Sequence, residues 1–289
     1  MTETPTAGET VLAYVADQVR ILREGRSDVL ADVPDAVHKS RVATRRLRST
    51  LRTFPGVQRR GVARSLRDEL RWLGEELGAP RDAEVLRERL LEEVSGLPDA
   101  DRRLIASRID QALTSTHDAA HAELVAAMAT KRYRRLLRSM GRLVAEPEFG
   151  PMADEPAAGA LPAMFARAVH RVERLAAHAA SRPSDLSRWH EVRKAAKAAR
   201  YAAEVLEPVM GEPAERSRAA WEAVTEALGA VQDAVVAQRV IGELALQAGG
   251  EGLPRTPFDD LRQRQDALLR ESLDQGRRAL VEALGAGRL

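Results

Sequence analysis

Residues 36–54 read AVHKSRVATRRLRSTLRTF, with five arginines, a lysine and a histidine and not one acid. A guanidinium group donates paired hydrogen bonds to phosphate or carboxylate oxygens and stays charged at any relevant pH. The chemistry on offer is therefore anion binding. On a helix each residue advances about 100°, so with His38 at zero Arg41, Arg45, Arg48 and Arg52 fall at about 300°, 340°, 280° and 320°. These five side chains share one narrow edge. Val37, Ala43, Leu47, Leu51 and Phe54 form the neighbouring apolar face, while Lys39 and Arg46 point elsewhere, toward solvent. A merely solvated helix usually alternates its charges to gain i,i+4 pairs, and this one has none. Its basic edge borders the core face, where arginine stems line a groove between helices. Successive arginines rise by about 4.5–6 Å, which suits a ligand with repeating phosphate oxygens better than a single small anion.

The pattern occurs twice. At an offset of 152, WHEVRKAAKAARYAAEVL from Trp189 sets His190, Arg193, Lys197 and Arg200 on His38, Arg41, Arg45 and Arg48. Glu204 stands where the first copy has Arg52, four residues after Arg200 and able to pair with it. At an offset of 151, LGEELGAPRDAEV from Leu73 overlies VTEALGAVQDAVV from Val224, so Leu77, Gly78, Ala79 and Asp82 match Leu228, Gly229, Ala230 and Asp233. The chain reads as a duplicated helical unit. Asp82 and Asp233 either orient basic side chains or cap and decorate a helix start; the sequence leaves both open.

Other candidate chemistry is thinner. His38 and His190 sit among arginines that would repel a metal ion, so each reads as a further phosphate donor. His117 and His121 lie one helical turn apart without evident third and fourth ligands, and read as incidental residues of an exposed helix. Trp72, Trp189 and Trp221 fall at core positions. No GxxxxGK[ST], GxGxxG or GxSxG motif occurs. With no base, nucleophile or metal set beside the basic edge, the expectation is binding without catalysis and without a cofactor.

The elements that must hold these residues are helices. The chain has 289 residues, 44% hydrophobic and only 3% aromatic. It is rich in Ala, Leu, Arg and Glu, all good helix formers. Alternating β-branched runs are missing, and the expected class is all-α. Helices are expected over 9–24, from Pro34 to a stop at Phe54-Pro55-Gly56, then over 58–77, 81–95, 98–128 and 130–145. Residues 146–162, rich in Pro and Gly, read as a linker, with helices resuming near 163 and running to about 284. The organisation expected is a flexible 1–8, then one domain over 9–285 made of halves 9–145 and 163–285. The net charge is +2, yet residues 37–67 carry ten Lys/Arg and no acid, leaving −8 for the remainder. That asymmetry points to an anionic partner. Cysteine is absent, no apolar run nears membrane-spanning length and the first residues are polar, so the protein is expected in the cytoplasm.

VHKSRVATRRLRSTLRTF, WHEVRKAAKAARYAAEVL and LGAPRDAEV together resemble the paired signature of the CHAD domains, conserved histidine α-helical domains, and KRYRRLL at 131–137 resembles the helix that closes their first half. The resemblance covers about 9–284. It implies two pseudo-symmetric helical bundles around a basic central cavity and binding of inorganic polyphosphate, often at polyphosphate granules. It implicates His38, Arg41, Arg45, Arg48, Arg52, His190, Arg193, Lys197 and Arg200, then Arg132 and Tyr133; Glu204 departs from the pattern. Two rivals follow from the same charge. A nucleic-acid binder would grip phosphate backbones, but here almost no aromatics interleave to stack bases. A hydrolase of phosphate chains would need acids or a metal at the site.

Overall fold

The computed structural model describes residues 5–97 and 99–286, and it is helical, as the composition dictates. The helices are α1 Ala7–Glu24, α2 Arg26–Leu30, α3 Ala36–Thr53, α4 Arg60–Glu76, α5 Gly78–Val94, α6 Asp99–Met128, α7 Lys131–Ala145, α8 Ala157–Ala180, α9 Leu186–Met210, α10 Glu212–Gly250 and α11 Thr256–Ala286. Among the described residues there is no strand, only isolated bridges such as Gln58 with Phe149.

Most boundaries agree with the periodicity, and four findings correct it. The first helix begins at Ala7, where Thr6 and Glu9 form a capping box; the expectation of a flexible 1–8 otherwise concerns residues 1–4, outside those described. Helix α2 is an extra turn that the sequence reading did not foresee. Pro34 does not open the next helix: the chain turns through Asp35 at φ 65°, and α3 starts at Ala36. Residues 146–162 are not all linker, because α8 begins at Ala157 and carries Pro162 within it. Pro162 lies beyond the first-turn N–H groups that lack helical partners, so α8 forgoes one i→i−4 hydrogen bond there, to Ala158 O. The rest of that segment is stitched to the turn between α3 and α4, with Gly150 N–H donating to Val57 O at 2.9 Å and Met152 N–H to Gly56 O at 2.9 Å. A Cβ on Gly150 would stand 2.4 Å from Gly56 O, so only glycine permits the crossing.

Two apolar clusters hold the fold. The larger joins α1, α3, α4, α7, α8, α9, the first half of α10 and the end of α11, around Leu47, Leu70, Phe165 and Trp221. The second joins α5, the first part of α6, the second half of α10 and the start of α11, around Leu90, Ile109, Ile241 and Phe258. Helix α10, 39 residues long, spans about 58 Å and therefore serves both. In α3 the buried face is Ala36, Val37, Ser40, Ala43, Thr44, Leu47 and Leu51. Burying Leu47 or Leu51 contributes about 1.5–3 kcal/mol each, which fixes the rotation of α3 and hence the direction of its arginines. Helices α3 and α9 pack directly on each other.

Candidate functional site

The antiparallel run of α3 and α4 sets the register of the first basic edge. A Cβ on Gly74 would touch Thr44, one on Gly78 would touch the Arg41 guanidinium, and Arg71 and Arg67 act electrostatically on Arg48 and Arg52. Helix α9 lies against the same face from the other half of the chain. Its Arg193 and Lys197 feel the charges of Arg41 and Arg45. The two stripes identified 152 residues apart thus meet at Arg41, Arg45, Arg193 and Lys197.

Burial, and then charge crowding, disfavour the charged forms there. Burial, then Arg193, Arg45 and Arg41, lower the Lys197 ammonium from 10.5 to about 7, against a weaker opposing pull from Asp233. His38 is held below its ordinary value by burial and by Arg81, Arg45 and Arg41, with Asp35 opposing. His190 is lowered by burial and by Lys194, Arg193 and Lys197, with Glu191 opposing, and its Nδ1 is buried without a hydrogen-bond partner. Arg193 is lowered by burial and by Arg45 and Arg41, against Asp233. The Arg45 Nε is likewise buried and unpartnered. These are groups short of negative charge.

Farther along α3 the edge opens into a pocket of about 410 Å³ lined by Arg48, Arg52, Arg67, Arg71, Glu75, Arg171, Glu191, Lys194 and Ala195. Burial first, then neighbouring arginines, lower both Arg48 and Arg52. Of the two acids, Glu191 is paired with Lys194. Arg67, Arg71, Arg171 and Lys194 were not singled out from sequence. Arg67 belongs to the acid-free run and shares an i,i+4 ridge with Arg71; nothing local marks Arg171, which arrives on α8.

The Gly-Asp motif acquires a role. Arg41 Nη1 donates to Asp82 Oδ1 at 2.5 Å, and the guanidinium passes over Gly78. In the second copy Asp233 acts on Arg193, whose guanidinium lies 2.9 Å from where a Gly229 Cβ would be. Glycine leaves room for the arginine, and the aspartate four residues on steadies it. Orientation of basic side chains is the reading the geometry favours over capping.

Several expectations change. Arg46 does not point to solvent: its Nε lies 2.8 Å from Glu204 Oε2, and the Glu204 side chain is only 7% exposed. Glu204 also accepts from Tyr14 Oη at 2.6 Å and lies 3.5 Å from Arg200 Nε. Arg200 is paired again with Glu222 at 2.5 Å. It is therefore tied into an ion-pair network among α1, α3, α9 and α10. Arg132 forms two hydrogen bonds with Glu69 and stacks on Trp72 at 4.2 Å, and Tyr133 is buried in the larger core, so α7 does not bring them to the α3–α9 edge. His117 and His121 are not incidental residues on an exposed helix. His117 Nε2 is 2.8 Å from Asp32 Oδ2 and Nδ1 is 3.1 Å from Pro80 O, while His121 Nε2 is 2.8 Å from Val29 O. They pin α6 to α2, to the turn before α3 and to the first turn of α5. Among the described residues no group of three or more His, Asp or Glu is placed to hold a metal ion.

Comparison with known proteins gives one family. A CHAD domain profile matches residues 13–242. The chain is 30% identical over 283 residues to the uncharacterized protein Rv2226 of Mycobacterium tuberculosis strain H37Rv and to protein MT2285 of strain CDC 1551, covering 95% of this chain and 53% of each relative. It thus spans about half the length of those curated relatives. The structure aligns with the CHAD domain from the plant Ricinus communis at a TM-score of 0.76 and 27% identity, covering 97% of this chain and 93% of that one. It aligns with PptA from Streptomyces chartreusis at a TM-score of 0.76 and 22% identity, covering 95% and 99%, a likeness of fold. The profile and the plant CHAD structure agree with the residues that first suggested the resemblance: the chain belongs to the CHAD domain family.

Proposed function

We propose that the protein binds inorganic polyphosphate without catalysis, through the basic edges of α3 and α9, in the cytoplasm at polyphosphate granules. The observation that carries this reading is the meeting of Arg41, Arg45, Arg193 and Lys197, cations from two distant segments pressed together with Asp82 and Asp233 as their nearby acids. Such crowding raises the energy of the empty protein and is relieved by a polyanion. The pocket at Arg48, Arg52, Arg67, Arg71 and Arg171 continues the same edge, so a linear chain of phosphates meets donors along about 20 Å of α3. Family membership supports the same ligand. The two halves, each contributing one helix, are read as the pseudo-symmetric walls of the site.

The test is calorimetric binding of polyphosphate to the wild-type protein and to Arg41→Ala/Arg45→Ala/Arg48→Ala. Alanine favours the helix, so circular dichroism should be unchanged. Affinity should fall a hundredfold or more, since each charge-assisted hydrogen bond contributes about 1.5–3 kcal/mol. Binding should weaken with salt. Retained affinity in the variant, or displacement by duplex DNA or RNA at equal phosphate concentration, would sink the reading; shortening of the chain would make the protein an enzyme.

A further inference from the structure

Helix α7 carries a second cationic surface that the α3–α9 site does not use. Residues 124–145 contain no acid. With Lys131 at zero on the helical wheel, Arg134, Arg135, Arg138 and Arg142 fall at about 300°, 40°, 340° and 20°. All five are exposed, while Tyr133, Leu136, Met140 and Leu143 are buried on the opposite face. Arg132 has Glu69, but none of these five has an ion-pair partner among the described residues. Arg23 of α1 adds a sixth cation beside Gly141. Helix α4 separates this face from the pocket: its Arg67 and Arg71 line the pocket, whereas Val62, Ser65, Leu66 and Glu69 turn toward α7.

We propose that the outer face of α7 binds a second segment of polyphosphate while α3 and α9 hold the first, so that the protein crosslinks long chains. This rests on the reading of the α3–α9 site given above. Charge complementarity commits the face to a linear polyanion: its five cations are spread over about 16 Å of helix, with the adjacent Arg134 and Arg135 flanked by steps of about 4.5–6 Å. The other exposed residues of α7, apart from the paired Arg132, are Ser139 and Ala145. That leaves no aromatic ring to stack a base and no bulky apolar group to enter a bilayer. Two separated sites on one body bind a long chain, or two chains, with avidity that a short chain cannot use.

The experiment compares the full chain with Arg134→Glu/Arg135→Glu/Arg138→Glu, using long polyphosphate and a short chain of few phosphates. Wild-type protein with long chains should scatter light as a network. The variant should give only small complexes and lose about tenfold or more of the long-chain affinity. Short-chain affinity by calorimetry should be equal in the two proteins. Equal scattering by both overturns the proposal, as does a loss of short-chain binding in a folded variant, which would make α7 part of the first site. Binding of duplex DNA or phosphatidylserine vesicles that the variant loses, with long-chain scattering intact, gives the face to those partners instead. If the wild-type protein binds no short chain, the pocket reading fails and crosslinking falls with it.

Discussion

Helices α3 and α9 carry the same spacing of His, Arg and Lys, yet the fold treats them differently. On the basic edge of α3, Arg45, Arg48 and Arg52 face other cations while Arg41 is held by the Asp82 carboxylate; off that edge Arg46 is held by Glu204. In α9, Arg200 is tied to Glu204 and Glu222, and Lys197 replaces an arginine at the most crowded point. The difference follows from dielectric and from numbers. Two fully charged arginine stripes pressed together without a ligand would repel strongly. The second stripe relieves this by neutralising its far end and by placing a titratable lysine at its centre. A duplicated pattern has become one open edge and one partly closed edge.

The largest effect expected from this contrast is at Glu204. Replacing it by Gln leaves Arg46, Arg200 and the Tyr14 hydroxyl around a neutral amide. Stability to urea should fall by about 3 kcal/mol, the scale of breaking a buried ion pair, with polyphosphate affinity little changed. A gain in affinity, from Arg200 released into the site, would reverse the comparison by making the tie inhibitory.

Lys197 gives the next effect. Its folded value of about 7 lies below the ordinary 10.5, so between these values the unfolded chain binds more protons and stability rises with pH. Lys197→Met should flatten that rise in urea midpoints measured across the window. An anion in the site restores the charge, so calorimetry near pH 8 in buffers of different ionisation enthalpy should show uptake of up to about one proton. Uptake that persists in Lys197→Met would move the effect to another group.

The smallest effects compare the two glycines. A Cβ on Gly78 would sit 3.9 Å from Arg41, ordinary contact, whereas one on Gly229 would sit 2.9 Å from Arg193. Gly78→Ala should be stabilised by up to about 1 kcal/mol, and Gly229→Ala should gain less, because its Cβ displaces the buried guanidinium. Only Gly229→Ala should weaken polyphosphate binding, by a few-fold, because the guanidinium must move. Equal affinities would show that the position of Arg193 is not critical.

Legibility followed the range of the interactions. The edge formed by His38, Arg41, Arg45, Arg48 and Arg52 was readable because helical periodicity is local and Leu47 and Leu51 fix the rotation. The repeat was readable because both copies kept residue types at nearly one offset. The fate of Arg46 was not, since it depends on Glu204, 158 positions away. Nor could Arg171 be singled out: nothing on α8 marks it, and only the packing of α8 against α3 and α9 brings it to Arg52. The pairing of His117 with Asp32 likewise needs α6 to lie over the turn before α3.

By itself, then, the sequence determined the helical class, the recurring His/Arg spacing, the basic edge and its bordering apolar face. All of these follow from composition and from a period of about 3.6 residues. The tertiary structure alone decided which cations stay open to a ligand. Asp82, Glu204 and Glu222 each reach a particular arginine from another element, and charge partnership is settled by contacts across helices that no local pattern encodes.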